Sequence, residues 1–184
     1  MKIFLMCLFL ATAFISCNNS GENSSVHITD GLKTVVKPFS DSLQADTFKI
    51  KIAGDADNKH LLFSITSFEG KLIYEEDIKA DDLFKNYDAT INLKKKKNQV
   101  KFLNEELERF FDEENFLEPA IMENETPDQY VPDKAFYEEL KQSQLNGFIY
   151  RLGKENKMYI GWSEKDRKVK AYYNCCKSAE GVQK

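Results

Sequence analysis

The sequence contains few of the residues that most often carry catalysis or metal binding. Histidine occurs only twice, at His27 and His60, and only three of the 26 basic residues are arginine. The chain has no Cys/His cluster of the kind that binds zinc. The scarcity of arginine also argues against a phosphate site, because phosphate recognition prefers the bidentate guanidinium group. We therefore expect neither a metal nor a dissociable cofactor.

Motifs for nucleophilic catalysis and for calcium binding are missing as well. Residues 161–165 contain the glycine and the serine of a G-x-S-x-G turn but end in lysine. Residues 54–59 have the acidic start of a calcium loop, yet Thr66 stands where the closing glutamate belongs. Acidic residues are abundant, but nothing selects a pair for acid–base catalysis. The sequence thus predicts a protein that is not an enzyme.

The first 17 residues indicate where the protein goes. Lys2 precedes residues 3–14, an uncharged run with the length of the apolar part of a secretory signal. The run is too short to span a bilayer as a helix, which needs about 20 residues. Phe14, Ile15, Ser16 and Cys17 then resemble the lipobox of bacterial lipoproteins, in which a small residue precedes an obligatory cysteine. Phe14 departs from the leucine that is usual at its position.

The resemblance to bacterial lipoproteins implies cleavage before Cys17, diacylglycerol on its thiol, and often a further acyl chain such as palmitate on the new amine. Such chains anchor a protein, since each buried methylene contributes about 0.8 kcal/mol. Residues 18–25 are polar and predict a tether with a reach of about 15 Å. The resemblance places the protein in the cell envelope, on the periplasmic side or the surface. Asn18 favours the outer membrane, because an aspartate at this position retains some lipoproteins in the inner membrane.

The mature chain has the length and charge of a single, mildly acidic domain. We expect residues 1–16 to be the signal, 17–25 the lipidated cysteine and tether, and 26–184 one domain. Without Lys2 the chain has 25 basic and 30 acidic residues, so it lacks the basic surface of a nucleic-acid-binding protein. The one dense basic run, residues 94–97, is interpreted as a solvated loop tip. Contact with anionic lipid headgroups is the alternative.

Hydrophobic periodicity predicts an α+β fold. Alternating residues predict two three-stranded antiparallel meanders, and apolar residues at three-and-four spacing predict about two helices between them. We expect the meanders to form an antiparallel sheet with the helices packed on one face. Residues 26–45 are predicted as an extended lead-in, with a short strand at Thr34–Val36 as an open alternative, and residues 116–130 as a loop. The predicted strands are residues 47–53, 60–68, 72–78, 148–152, 158–162 and 168–175, and the helices follow Gln99 and Pro132, after a short one at 81–87.

Two cysteines in the last predicted strand are a candidate disulfide or redox pair. Cys175 and Cys176 are adjacent, and neighbouring Cα atoms lie about 3.8 Å apart, below the roughly 4.4 Å lower limit of ordinary disulfides. Three states are therefore open: two unpaired thiols on opposite faces of the strand, a distorted vicinal disulfide, and an intermolecular bond.

Aromatic residues of the second meander are a candidate binding face, because tyrosine and tryptophan are enriched at recognition surfaces. Adjacent residues of a strand point to opposite faces, so Tyr172 and Tyr173 cannot both face the core unless both faces of the sheet are covered. Packing in the core and at the sheet edge is the alternative. The residues of the candidate face are Tyr150, Tyr159, Trp162 and Tyr172.

A well-patterned core without a catalytic constellation favours a lipid-anchored interaction or accessory protein. An inhibitor, an immunity protein or an assembly subunit would each fit, and each would bind a protein partner. The alternative is a lipoprotein that binds a small molecule, a glycan or a lipid, which would need a concave apolar pocket. An envelope hydrolase is the third class, and it would need ionisable groups that converge in a cleft.

Overall fold

The computed structural model describes residues 27–29, 31–55, 58–85, 87, 91–153 and 156–175. The predicted signal, Cys17, the tether and Cys176 lie outside these residues. The described residues form antiparallel sheets and helices, which confirms the α+β class. The strands are β1 His27–Thr29, β2 Leu32–Pro38, β3 Ala45–Ala53, β4 His60–Thr66, β5 Leu72–Lys79, β6 Phe116–Leu117, β7 Gly147–Arg151, β8 Lys157–Ser163 and β9 Lys168–Cys175. The helices are α1 Ala80–Lys85, α2 Lys96–Arg109 and α3 Lys134–Ser143, with one 3-10 turn at Glu113–Asn115.

The expectation of a single sheet made of two three-stranded meanders is wrong in detail. Strands β1 to β5 form one sheet in chain order, and β6 to β9 form a second. The inner faces of both sheets are apolar and pack against each other, so the meanders are stacked and not joined edge to edge. The predicted strands correspond to β3–β5 and β7–β9, and each sheet gains strands that the sequence pattern did not show.

Strand β2 extends beyond the short strand considered at Thr34–Val36 on both sides, where lysines occupy its inward positions. Val35 pairs with Phe48 and is buried, as alternation requires. Lys33, two residues earlier, is also buried, and its ammonium group donates to the backbone oxygen of Glu108 at the end of α2. Lys37, two residues later, forms an ion pair of 2.8 Å with Glu113. A lysine can occupy an inward position of a strand when its ammonium group reaches a polar partner at the edge of the core. Such lysines hide the alternation of apolar and polar residues by which a strand is recognised in the sequence.

The two main helices begin for different reasons. Asp133 caps α3 by accepting a hydrogen bond of 3.0 Å from the backbone N–H of Phe136, which confirms the predicted start. Helix α2 begins three residues before Gln99 and has no side-chain cap. The amides of Asn98 and Gln99 donate to the backbone oxygens of Asn92 and Leu93 and hold the preceding turn. The four lysines 94–97 are exposed there, and their contact with headgroups stays a prediction.

An aromatic cluster joins both sheets and α2. The Phe148 ring in the second sheet lies 5.3 Å, between ring centroids, from both Phe48 and Phe63 in the first. Phe110 and Phe111, where α2 ends, lie 5.8 Å from the same ring. Edge-to-face and tilted rings at these separations contribute about 0.5–1.5 kcal/mol per pair beyond the area they bury. The core therefore sits between the sheets and is filled mainly by aromatic rings.

The other face of the second sheet is also covered. Helix α3 packs on β8 and β9, and Gly161 allows the approach: a Cβ atom there would lie 2.5 Å from Leu140. The hydroxyl of Tyr172 donates to the backbone oxygen of Ala120, at 3.1 Å. The second sheet is thus enclosed on both sides. Within the described part of the chain, no helix combines the length and the apolar character needed to cross a membrane.

Candidate functional site

A cleft of about 80 Å³ opens where α2 ends beside β7 and β8 of the second sheet. Apolar and aromatic groups form its inner wall, among them Leu61, Leu83, Ile149 and Tyr150. Three acidic and three basic side chains line most of the remaining wall of the cleft. The charged residues are Glu106, Arg109, Asp112, Glu114, Arg151 and Lys157.

Local structure explains why these charges meet. Glu106 and Arg109 are three residues apart on α2, so they share one face of the helix. The amide of Asn115 then donates to the backbone oxygens of Arg109 and Phe110, at 3.3 and 3.1 Å. These bonds satisfy carbonyls that a helix end leaves free. They turn the chain so that the following acidic residues lie at the rim of the cleft.

The opposite wall places two positive charges side by side. Arg151 of β7 pairs directly with Lys157 of β8 in the antiparallel register. Like charges at directly opposed positions destabilise a sheet. Arg151 donates to the hydroxyl of Tyr87, at 3.1 Å, which orients its guanidinium group without neutralising it. This wall therefore keeps a positive charge that the fold itself does not need.

Glu106 is half-buried in the cleft, and burial raises the pKa of its carboxyl group. The guanidinium groups of Arg151 and Arg109 act in the opposite direction and lower that pKa. Among the described residues, none of the six charged side chains of the cleft forms an ion pair with another. The cleft thus combines charges of both signs that are close enough to interact and are not paired.

A hydrogen-bonded pair of tyrosines, the buried Tyr150 and the half-buried Tyr74, lies behind the cleft at the join between the two sheets. The hydroxyl oxygens of Tyr74 and Tyr150 are 2.5 Å apart, and Glu76 lies 3.4 Å from the Tyr74 hydroxyl. Burial raises the pKa of Tyr74 to about 12, and it also raises the pKa of Tyr150. Both hydroxyls are thus neutral hydrogen-bonding groups at physiological pH.

The raised pKa of Tyr74 predicts a specific loss of stability in alkali. An unfolded tyrosine ionises near pH 10, whereas Tyr74 in the fold ionises near 12, so the folded state favours the neutral form. Its contribution is complete below pH 10 and is lost as the pH rises from 10 to 12. We expect the free energy of unfolding of Tyr74→Phe to fall less steeply than that of the unchanged chain over this window. Denaturant titrations at each pH measure it, and equal slopes would contradict the assignment.

The candidate aromatic face does not form one exposed surface. Tyr150, Trp162 and Tyr172 are buried, and Tyr159 is half-buried with its ring 6.0 Å from that of Tyr172. Alternation predicted that a tyrosine would leave the core, but here both faces of the sheet are covered. Only Tyr150 reaches the cleft. A binding role for the other three stays a prediction.

Cys175 is disulfide-bonded, which excludes a free thiol at this position. Its partner lies outside the described residues, as do Cys7, Cys17 and Cys176. Cys175 pairs with Lys157 in the sheet and so lies one strand beyond the cationic wall of the cleft. The vicinal pair and a redox role stay predictions.

The sequence interpretation named Tyr150 as a candidate but did not identify the charged residues of the cleft as a site. The only signal that could have found them is the rarity of arginine, since two of the three arginines lie here. The third, Arg167, stands over the ring of Trp162 at 5.8 Å. No group of three or more histidine, cysteine or carboxylate side chains in the described ranges is arranged to hold a metal ion. Comparisons with protein-family models, with curated proteins and with solved structures found no significant match to this chain.

Proposed function

We propose that this chain is a lipid-anchored protein of the cell envelope that binds a protein partner and catalyses no reaction. The lipobox resemblance at Cys17 supports the anchor, and the tether keeps the domain near the headgroups. The observation that carries the binding role is the filled core. The enclosed cleft of about 80 Å³ is far smaller than the roughly 300–1,000 Å³ of pockets for drug-sized ligands. This size disfavours a carrier that encloses a whole small molecule, glycan or lipid.

The outward side of α2 is the surface that best suits a partner. An open groove of about 640 Å³ runs along it past Lys97, Val100, Asn104 and Glu108 to Arg109. Val100 is an apolar residue of α2 and is 43% exposed in this groove. Because Arg109 belongs to both the groove and the cleft, the two form a continuous surface. A partner lying along α2 would therefore reach the cleft with one of its groups.

The charge distribution along α2 indicates which charges the contacting segment of the partner would carry. Lys97 and Lys101 lie near the beginning of the helix, and Glu105 and Glu108 lie near its end. A complementary segment would be acidic opposite the lysines and basic opposite the glutamates. Such matching steers association and selects partners more than it adds affinity.

Site-specific photocrosslinking in intact cells tests the proposal. A photoreactive residue at Asn104, in the groove, is expected to give one defined crosslinked product. The same residue at Lys49, on the exposed outer face of β3, is the matched control and should not give that product. Identical products at both positions, or none at Asn104, would count against a partner on α2.

The envelope-hydrolase alternative has one observation in its favour. Ionisable groups do converge in a cleft, and burial raises the pKa of one of them, Glu106. A negative crosslinking result would make hydrolysis assays the next step. Glu106→Gln would be the informative variant, because it removes the proton-transferring group while keeping its shape.

A further inference from the structure

We propose that the cleft at the end of α2 binds a carboxylate group, held between the guanidinium groups of Arg109 and Arg151. The inference goes beyond the proposed function by naming the chemistry that the cleft recognises. The carboxylate has two sources, the C-terminus of a protein partner and a free short-chain carboxylic acid. For the first source the inference rests on the proposed function, and for the second it stands without it.

The positive charges of the cleft lie where their mutual repulsion destabilises the second sheet. Arg151 and Lys157 repel each other across β7 and β8, and no carboxylate pairs with either among the described residues. Arg109 approaches from α2, a different element of the structure. A guanidinium group binds a carboxylate through two parallel hydrogen bonds, which a lysine cannot imitate. In a chain that otherwise uses lysine, two arginines facing one cleft indicate this kind of recognition.

Glu106 supplies a third contact. Its carboxyl group is half-buried and has no hydrogen-bond partner within the described ranges. In its protonated form it donates one hydrogen bond and is the natural neighbour of a bound carboxylate. The raised pKa of Glu106 favours that form, and a second negative charge between the arginines raises it further.

The charged side chains around the cleft favour a ligand that carries a single negative charge. Asp112 and Glu114 lie exposed at the rim and repel a doubly charged ligand such as phosphate. The cleft has three cations and three carboxyl groups, so a ligand that binds together with one proton on Glu106 is matched when it carries one negative charge. Leu61, Leu83 and Ile149 beside the charges suit a short hydrocarbon stem. The cavity of about 80 Å³ holds more than the roughly 10–15 Å³ that one water needs, which leaves room for the carboxylate end of a ligand.

NMR spectroscopy of the arginine side chains tests the inference directly. The full-length ¹⁵N-labelled protein in neutral detergent micelles has three arginines and so three Nε–Hε signals. Titration with sodium butyrate is expected to shift the signals of Arg109 and Arg151 and to leave that of Arg167 unchanged. Arg151→Gln should weaken butyrate binding by about tenfold or more, because a hydrogen bond to a charged group is lost. Arg167→Gln is the matched control and should keep the affinity of the unchanged chain.

Further probes separate the ligand classes and the sources. N-acetyl-dialanine should bind through its carboxylate, whereas its amide should not. Butyrate binding without peptide binding would assign the cleft to free carboxylic acids, and tighter peptide binding would assign it to a protein C-terminus. Either result is independent of the crosslinking outcome at Asn104. Shifts no larger than those caused by sodium chloride at equal ionic strength, or tighter binding of phosphate than of butyrate, would overturn the inference.

Discussion

A Cys17→Ser variant is expected to lose its acyl label and the membrane attachment that the acyl chains provide. Serine keeps the small polar character of the position but offers no thiol for diacylglycerol, so the signal of the proposed lipoprotein is neither lipidated nor cut before residue 17. The anchor consists of two or three acyl chains, and each methylene in the bilayer contributes about 0.8 kcal/mol. Metabolic labelling with palmitate and partitioning into detergent measure both losses.

Cys7→Ser is the matched control for this experiment. Cys7 lies within the proposed signal, which the mature protein does not retain. Its replacement should therefore leave both the label and the membrane association unchanged. A Cys17→Ser protein that still carries palmitate and still partitions into detergent would contradict the proposed anchor, whatever the domain binds.

Phe148→Ala is expected to reduce the free energy of unfolding by about 3–5 kcal/mol. The Phe148 ring is fully buried and lies within 6.4 Å, between centroids, of six other aromatic rings. Those rings come from both sheets and from the end of α2, so no single element can move to fill the space. A loss of this size is a large part of the stability of a domain. Chemical denaturation followed by tryptophan fluorescence measures it.

Phe68→Ala makes the same chemical change at an exposed position. Phe68 lies in the turn after β4 and is 47% exposed, so its replacement should change the free energy of unfolding by about 0.5 kcal/mol or less. Similar losses for both variants would show that the ring of Phe148 is not the centre of the core.

Hydrophobic periodicity was sufficient to predict a strand or helix wherever one face of that element is buried against the core. Strands β3 and β4 alternate cleanly because Phe48 and Phe63 point inward between exposed or half-buried residues. Only the middle of strand β2 was considered as a strand, because Lys33 reaches a carbonyl from a buried position, an arrangement that depends on where α2 ends. Strand β6 has two residues and no period to detect. Local pattern therefore identified the elements but not how the sheets stack.

The candidate site was beyond the reach of sequence patterns for a different reason. Arg109 and Arg151 are separated by a strand, a long connection and a helix, and only the packing of α2 on the sheets brings them together. The aromatic residues of the second meander gave a misleading signal. Tyr172 is buried because Ala120, in the connection before α3, covers the face that alternation left open. Trp162 points to the opposite face of the sheet from its neighbour Gly161, which contacts α3.

The contact between Phe48 and Phe148 also determines when the protein can fold. The two residues are one hundred positions apart, so the inner face of the first sheet, which the end of α2 covers in part, is fully covered only when β7 to β9 have been synthesised. Contacts of such long sequence separation form slowly, because the loop must close before any packing energy is gained. A nascent chain of this kind stays open during most of its synthesis. If the protein is exported as proposed, this delay keeps the chain open while it passes through the membrane.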